Sequence, residues 1–582
     1  MAKKISARTH LHSCYVQGND YKKDAVVVSE ILEYEDGTTE PNLKVYTSPN
    51  VRFWITQPPY RTHQDKKEFE SLKYLDEYRV PYKDKDKEIF KVFNGYYPNF
   101  LTHQMRKDLY KSPYLYGGNI SIEALLAMRY KKDLLAAGKT PQTPRTGFFD
   151  IEKSLLKDSL GRLPLMVFTA ENKVYLAIMK SFMVEPRDGR QVPVTLDDIK
   201  QAVKDYIDPL VENIFKEKGK DLEDYKSRLP FQYEFYIGHH EVDMIKWIFA
   251  KMHESKTSFI GVWNLNFDIP ECIKILKENN IPLEDVFADP KIREAGYAYV
   301  NYREDKKEVA HFTQKWHWLT NTAHFQFIDS TSLYSYIRVV DGKEASYALD
   351  DILKKFGLGG KLKIDKTKEL EKLQTADWHR AMLSRYFTYY AVYTMWDGMS
   401  LQILEWLNND LTAMMLLCDV TPPKFFVNQT IKVTNTLYEE WLEKGYVLGT
   451  GVNVEGVRDE DLETEGGAVL EPQNLIAQGM RLFPEWPSLA THCYAWQSDL
   501  DFSAQYPTNI AVLNISKQTK VATMLSIKGK HVQKYYNPTE AIEVLGTYLI
   551  TPNANGVNLG VEFFGLPNYQ EMRQLFEESL VS

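Results

Sequence analysis

Along this chain, stretches rich in β-branched and alternating apolar residues take turns with stretches whose apolar residues recur every three or four positions, the signatures of strand and helix. The first strand text, Ala25-Val26-Val27-Val28 and Leu43-Lys44-Val45-Tyr46-Thr47, flanks the hairpin signal Asp36-Gly37, and Gln57-Pro58-Pro59-Tyr60 then breaks the pattern. Residues 66–82 are densely charged with interleaved aromatics and read as a solvated helix face, with a nucleic-acid contact as the alternative. A small mixed domain is expected up to about residue 145, closed by the proline punctuation of 140–144.

The next stretch, Thr146-Gly147-Phe148-Phe149-Asp150-Ile151-Glu152, predicts a strand, and its two carboxylates stand two residues apart, on one face. Acids held together in this way repel unless a hard divalent cation fills the gap; a solvated strand edge is the plainer reading. Residues 165–170 and 174–179 predict a hairpin continuing that strand, and residues near 181–230 read as a polar, helical insertion. Val242, Ile245, Phe249 and Met252 recur at helical spacing and lead into a strand at 258–263, a helical crossover to a parallel strand. That strand ends in Trp263-Asn264-Leu265-Asn266-Phe267-Asp268-Ile269-Pro270, which places Asp268 just before a helix started by Pro270, either as an N-cap or as a site acid at a strand's carboxyl end. The adjacent His239 and His240 point apart and read as an exposed pair. A further strand is expected at 325–329, a capped amphipathic helix at 346–356 ending at Gly357, and a long helix over 378–407. On that long helix Tyr393 and Asp397 lie one turn apart and share a face.

Composition narrows the class. With 582 residues, roughly three to four domains are expected at ~150 residues each. Apolar residues make up 44% and charged residues 26%, ordinary globular values, while 37 tyrosines suit stacking surfaces as well as cores. A net charge of −8 excludes a general cationic coat, so any nucleic-acid surface must be local. Cys14, Cys272, Cys418 and Cys493 are scattered, which argues against a disulfide framework or a zinc knuckle and for a reducing compartment. No apolar run is long enough to span a bilayer, so no membrane partner is expected.

The ordered set Asp150-x-Glu152, Asn264-x-x-Phe267-Asp268 and Tyr393-x-x-x-Asp397 resembles the three 3′→5′ exonuclease motifs of family B DNA polymerases. Ser346-Tyr347-x-Leu349-Asp350 followed by Gly360-Lys361-Leu362-Lys363 is similar to the segment between their second and third motifs. Gly466-Gly467 resembles the family's coupling segment, with Thr464 where Tyr is usual. Residues 498–510 resemble polymerase motif A, with Ala504-Gln505 where Ser-Leu is usual. The resemblance, which to members from large tailed bacteriophages covers most of the chain, implies an α/β (α+β multidomain) protein: an N-terminal domain (1–145), a ribonuclease-H-like exonuclease domain (146–405) and the first part of a polymerase palm (406–582). It implies catalysis by Asp150, Glu152, Asp268, Tyr393, Asp397 and Asp501, with the five acids as metal ligands. Two Mg²⁺ or Mn²⁺ ions ~3.5–4 Å apart are implied at the exonuclease acids, with Tyr393 positioning water. Phe149 or Phe267 is expected to stack the single-stranded 3′ end, joined by Asn264; Tyr506, Gly466 and Gly467 are expected to bind substrate, and Lys517, Lys520, Lys528, Lys530 and Lys534 either follow duplex phosphates or make a solvated face.

After Asp501 the sequence holds no further aspartate. The second palm acid, the fingers and the thumb are therefore expected on a separate polypeptide, the C-terminal half of a split polymerase. Primer-template DNA, dNTPs and a sliding clamp or other replication proteins are the implied partners, and the cytoplasm of an infected host cell is the implied location. A free-standing exonuclease and a non-catalytic DNA-binding replication scaffold are the competing readings.

Overall fold

The computed structural model describes residues 3–451, apart from 20–21, 64–65, 310, 340–341, 361, 363, 365–369, 371 and 374, together with the backbone of 522–527 and 547–552. Its described residues form mixed α and β structure in several sheets, as expected of an α+β chain. Two units are distinguished, Met1–Leu462 and Glu463–Ser582.

Strands β1 (Ile5–Val16), β2 (Ala25–Tyr34) and β3 (Thr39–Thr47) make an antiparallel meander, and the expected turn at Asp36-Gly37 joins the last two, with Gly37 at φ +79°. Strands β4 (Asn50–Thr56), β5 (Phe69–Ser71) and β6 (Leu75–Pro81) follow, then helices α1 (Lys85–Asn94) and α2 (His103–Lys111), strand β7 (Leu115–Tyr116) and helix α3 (Ile122–Ala136). The charged stretch 66–82 is thus strand and turn rather than helix: β6 pairs with β4, whose Phe53, Trp54 and Ile55 are buried. The charges Asp76, Glu77 and Arg79 of β6 are exposed and only Leu75 and Val80 are buried, so this strand carries no period of two.

Strand β8 (Thr146–Glu152) begins the central sheet. It runs antiparallel to β9 (Leu165–Ala170), which runs antiparallel to β10 (Lys173–Met179). The hairpin β11 (Val184–Arg187) and β12 (Arg190–Pro193) and helix α4 (Leu196–Glu217) come next. Residues 181–230 are helical in α4, as expected, but not simply polar: Ile199, Val203, Ile207, Val211 and Ile214 of α4 are buried in the main core, behind a capping box at Thr195 and Asp198. Strand β13 (Gln232–Gly238) joins β10 in parallel; helix α5 (Glu241–Ser255) then crosses to β14 (Phe259–Val262), parallel to β8, as the spacing predicts. Helices α6 (Leu265–Glu278), α7 (Glu284–Phe287) and α8 (Pro290–Glu294) lead to β15 (Val300–Arg303), β16 (Trp318–Asn321) and β17 (Gln326–Asp329), the last parallel to β14. The sheet order is β13-β10-β9-β8-β14-β17.

Helices α9 (Ser330–Ile337), α10 (Leu349–Lys355), α11 (Thr375–Arg385), α12 (Phe387–Asn408), α13 (Asp410–Cys418) and α14 (Gln429–Glu443) complete the first unit with β18 (Tyr446–Leu448), which pairs with β5. Helix α10 starts later than the sequence suggests and has no side-chain cap, but Gly357 follows it at φ +71°. The long helix expected over 378–407 is two, because Tyr386 leaves helical geometry at φ −136°, ψ 42°. Strands β19 (Ala522–Ile527) and β20 (Thr547–Pro552) form an antiparallel ladder in the second unit. No helix among the described residues is long and apolar enough to cross a membrane.

Both faces of the central sheet are covered. Phe148, Leu165, Val167, Leu176 and Ile178 pack toward α4 and α12, whereas Phe149, Ile151, Met166, Phe168 and Ala177 pack toward α5 and α6. Cys14, Cys272 and Cys418 are buried free thiols, in keeping with their scatter along the sequence.

Candidate active site

The alternation of β8 places the acids. Phe148 packs on the side of α4 and α12, so Asp150 and Glu152, two and four residues on, project from that same face. Phe149 and Ile151 project from the other. Phe149 is 0% exposed, with its ring edge-on to Phe249 and Phe327, at centroid distances of 6.1 and 6.3 Å. Stacking of a nucleobase on Phe149 is thereby overturned: a residue of odd register relative to the acids faces the opposite core.

Helix α12 lies across β8 and β9 and brings the third acid. Gly398 makes the close approach possible, since a Cβ there would stand 3.2 Å from both Thr169 Cγ2 and Val167 Cγ1 on β9. Its neighbour Asp397 is buried beside the strand acids. Asp150, Glu152 and Asp397 each offer one carboxylate oxygen, and these atoms all lie within 4.8 Å of one another. An all-oxygen donor set of this charge fits a hard divalent cation such as Mg²⁺ or Mn²⁺ and offers nothing to a soft one.

Asp268 approaches from the other neighbour of β8. The ladder of β14 on β8 stops at the pair Gly261 and Phe148, so the end of β8 has no strand partner on that side. Asp268 fills that gap, and its carboxylate accepts the backbone N–H of Ile151, the residue between the two strand acids. Burial, then the charges of Asp150, Glu152 and Asp329, hold its pKa well above the usual carboxylate range, only partly offset by that N–H. The helix starts at Leu265 rather than Pro270, and Asn264 occupies the N-cap position without a side-chain cap bond. Asp268 is therefore a first-turn residue of α6, not its cap.

Asp329, at the end of β17, carries no role in the sequence reading. It is buried, accepts the N–H of Ser332 at 2.9 Å to cap α9, and also accepts the N–H of Leu265, the first residue of α6. Burial lifts its pKa to about 6 against those hydrogen bonds. An acid at a strand end followed by Ser-Thr-Ser is a cap signal, and it was there to be found.

Tyr393 is buried, with Trp378 tilted against its ring at 4.9 Å. Burial first, then the charges of Asp397 and Glu152, push its phenol well above the ordinary range, so it stays protonated. Tyr390, one turn earlier, stacks on Tyr393 with centroids 6.1 Å apart and reaches the acids directly: its hydroxyl donates to Glu152 Oε2 at 2.5 Å. Residues 390, 393 and 397 fall at i, i+3 and i+7, one face of a helix, a spacing that marks Tyr390 in the sequence.

At the rim, Phe267 is 39% exposed beside Asn264, also exposed, and the Lys153 ammonium sits 5.6 Å from its ring centroid while pairing with Glu271. His239 and His240 are exposed, as expected. Gly466, Gly467, Asp501, Tyr506 and the five lysines from Lys517 to Lys534 lie outside the described residues. No protein-family model matches the chain, and no curated protein matches it.

Proposed function

We propose that this chain is a 3′→5′ exodeoxyribonuclease belonging to a family B DNA polymerase of phage type, and that residues 146–405 form its ribonuclease-H-like nuclease domain. The observation that carries this reading is the convergence of Asp150, Glu152 and Asp397, three sequence-distant acids whose oxygens lie within 4.8 Å of one another, with Asp268 buried beside them. The order of the sheet supports it as well: a three-strand meander whose first strand carries the acids is extended by two parallel strands reached through helical crossovers.

The four carboxylates would hold Mg²⁺ or Mn²⁺, which when bound supplies Lewis-acid stabilisation of the charge that develops on the phosphate. Tyr393, held protonated, can donate a hydrogen bond and orient a water but is a poor base. Phe267 offers a sequence-tolerant stacking face for the terminal base, and Lys153 a cation for a phosphate beside it. Nucleotide addition would use Asp501 and Tyr506 together with a second acid, fingers and thumb.

The test is degradation of a 5′-labelled single-stranded oligonucleotide in Mg²⁺. Replacing both Asp150 and Glu152 with Ala removes a charge clamp worth several kcal/mol at the transition state, so the rate falls by about 10³-fold or more with the fold retained in circular dichroism. A double variant as active as the wild type overturns the assignment.

A further inference from the structure

Four carboxylates in one site have a mechanical problem as well as an electrostatic one. The terminal torsion of a glutamate is a broad, roughly two-fold rotor, and like charges on Asp150, Asp268 and Asp397 push the Glu152 carboxylate away from the position in which it serves as a ligand. Something must hold it, and the contacts around Glu152 show what does.

Tyr390 is fully buried on α12, and its hydroxyl donates to Glu152 Oε2 at 2.5 Å. A tyrosine hydroxyl has a single hydrogen, so toward its other neighbour it must accept. That neighbour is His379 on α11, whose Nδ1 lies 2.8 Å from the hydroxyl and 3.6 Å from the same Glu152 oxygen. His379 therefore carries its proton on Nδ1 and donates it to Tyr390. The ring of Tyr390 is fixed on both sides, stacked on Tyr393 and edge-on to Trp378 at 6.2 Å. Helix α11 is itself tied to the loop after β8 by Arg380 Nε, which donates to the Leu155 carbonyl at 3.1 Å. A line of hydrogen bonds thus runs from one helix through a second to the strand acid.

We propose that Tyr390, braced by His379, is the positioning residue that locks Glu152 in its metal-ligating orientation. A phenylalanine would fill the same space in the core; only the hydroxyl answers the need of the carboxylate. Charge-assisted bonds of this kind are the strong ones, and outer partners of metal ligands typically change metal affinity 10–100-fold when removed. The chain breaks between α11 and α12 at Tyr386, and His379 of α11 lies with its ring 5.8 Å from that of Tyr390 on α12.

This inference rests on the proposed metal site, so the experiment separates the two. Binding of Mn²⁺ to the full chain is read from loss of the electron paramagnetic resonance signal of the free ion, for wild type, the Asp150→Ala, Asp397→Ala double variant, Tyr390→Phe, His379→Leu and His379→Asn. The expected result is loss of this site's binding in the double variant and a 10–100-fold weaker affinity in Tyr390→Phe, at nearly unchanged melting temperature. His379→Leu should weaken binding less, and His379→Asn, which keeps a donor near the Nδ1 position, should restore it. In the nuclease assay the Tyr390→Phe rate should recover at high Mg²⁺, a shift in metal dependence rather than in the saturated rate. Tyr390→Phe binding as tightly as wild type, while the double variant has lost the ion, overturns the positioning role and leaves the metal site standing. A wild-type chain that binds no more Mn²⁺ than the double variant overturns both. Should Tyr390→Phe fail to fold, the His379 pair decides: equal affinities of the Leu and Asn variants refute the proposal.

Discussion

Asp268 shows at the scale of one residue what it costs to assemble such a site. Its carboxyl is 2% exposed, faces other acids and titrates far above an ordinary aspartate, so in the absence of a cation its ionised form opposes folding. For an acid whose pKa is raised on folding, stability is fully present below the unfolded value near ~4 and is lost as pH rises through the folded value. Asp329, at about 6, adds to the same slope. In EDTA the protein should therefore lose stability between about pH 4 and pH 7, and Asp268→Asn, which keeps an oxygen for the Ile151 N–H, should raise stability at pH 8 by about 1 kcal/mol or more while abolishing nuclease activity. Thermal melts at pH 5 and pH 8 check this; an Asn variant less stable than wild type at pH 8 would mean the buried charge is compensated by a group not considered. The carboxylate pair on β8 was legible in the sequence because a strand has a period of two. The same period, applied one residue earlier, puts Phe149 in the opposite core, where no ligand reaches it. His379 had no signal at all, since nothing in a helical pattern tells which neighbour its imidazole will meet.

Among the elements, α12 carries the most consequence, and its position depends on a hydrogen atom. At Gly398 a methyl group would already meet β9 side chains at 3.2 Å, closer than side chains comfortably pack, and a branched residue would meet them sooner. Gly398→Val should thus lift α12 from β9 by a few tenths of an ångström or more and carry Asp397 away from Asp150 and Glu152. The expected stability loss is about 1–3 kcal/mol, the cost of overpacking, with a nuclease loss of at least 10²-fold because metal ligands tolerate little displacement. Denaturant melts and the oligonucleotide assay read the two effects separately; a Val variant with normal activity would show that the helix has slack at this point. The helical character of 378–407 was plain from the spacing of its apolar residues, yet its division at Tyr386 was not, because neither Pro nor Gly marks it. Nor was the true start of α6: Pro270 suggested a helix beginning there, whereas it stands in the second turn, inside the helix, where it withholds the N–H that the Asn266 carbonyl would otherwise accept. The strand nature of β6 had no periodic signal: its buried residues, Leu75 and Val80, stand five apart, and Asp76, Glu77 and Arg79 between them do not alternate.

For the whole molecule, the acids converge because the strand with two of them lies at the centre of a six-stranded sheet, flanked by a meander on one side and parallel crossovers on the other. Meander and the α5 crossover were legible from turn signals and helical spacing; the parallel addition of β13 beyond β10 was not, because residues near 181–230 read as a polar insertion, which hides the buried face of α4 that leads to β13. The polymerase half of the proposal stands on sequence alone: Asp501 and Tyr506 belong to residues 463–582, of which only the β19–β20 ladder is described. Phosphoryl transfer to a growing strand needs a second acid opposite Asp501 and a cation to neutralise the triphosphate as charge moves onto the leaving pyrophosphate. No aspartate follows Asp501 in this sequence. Residues 1–582 alone should therefore shorten a primer but not extend it. Extension should arise only when residues 1–582 are joined, by further sequence or by another polypeptide, to an Asp-x-Asp between strands and a Lys-bearing helix, and it should vanish with Asp501→Ala while the shortening persists. If those elements come from another polypeptide, the two would share one palm sheet, so their interface should be large and apolar, stable to gel filtration rather than transient. Primer extension and gel filtration with purified components decide the matter, and template-directed synthesis by residues 1–582 alone, abolished by Asp501→Ala, would place the second acid among residues already in hand.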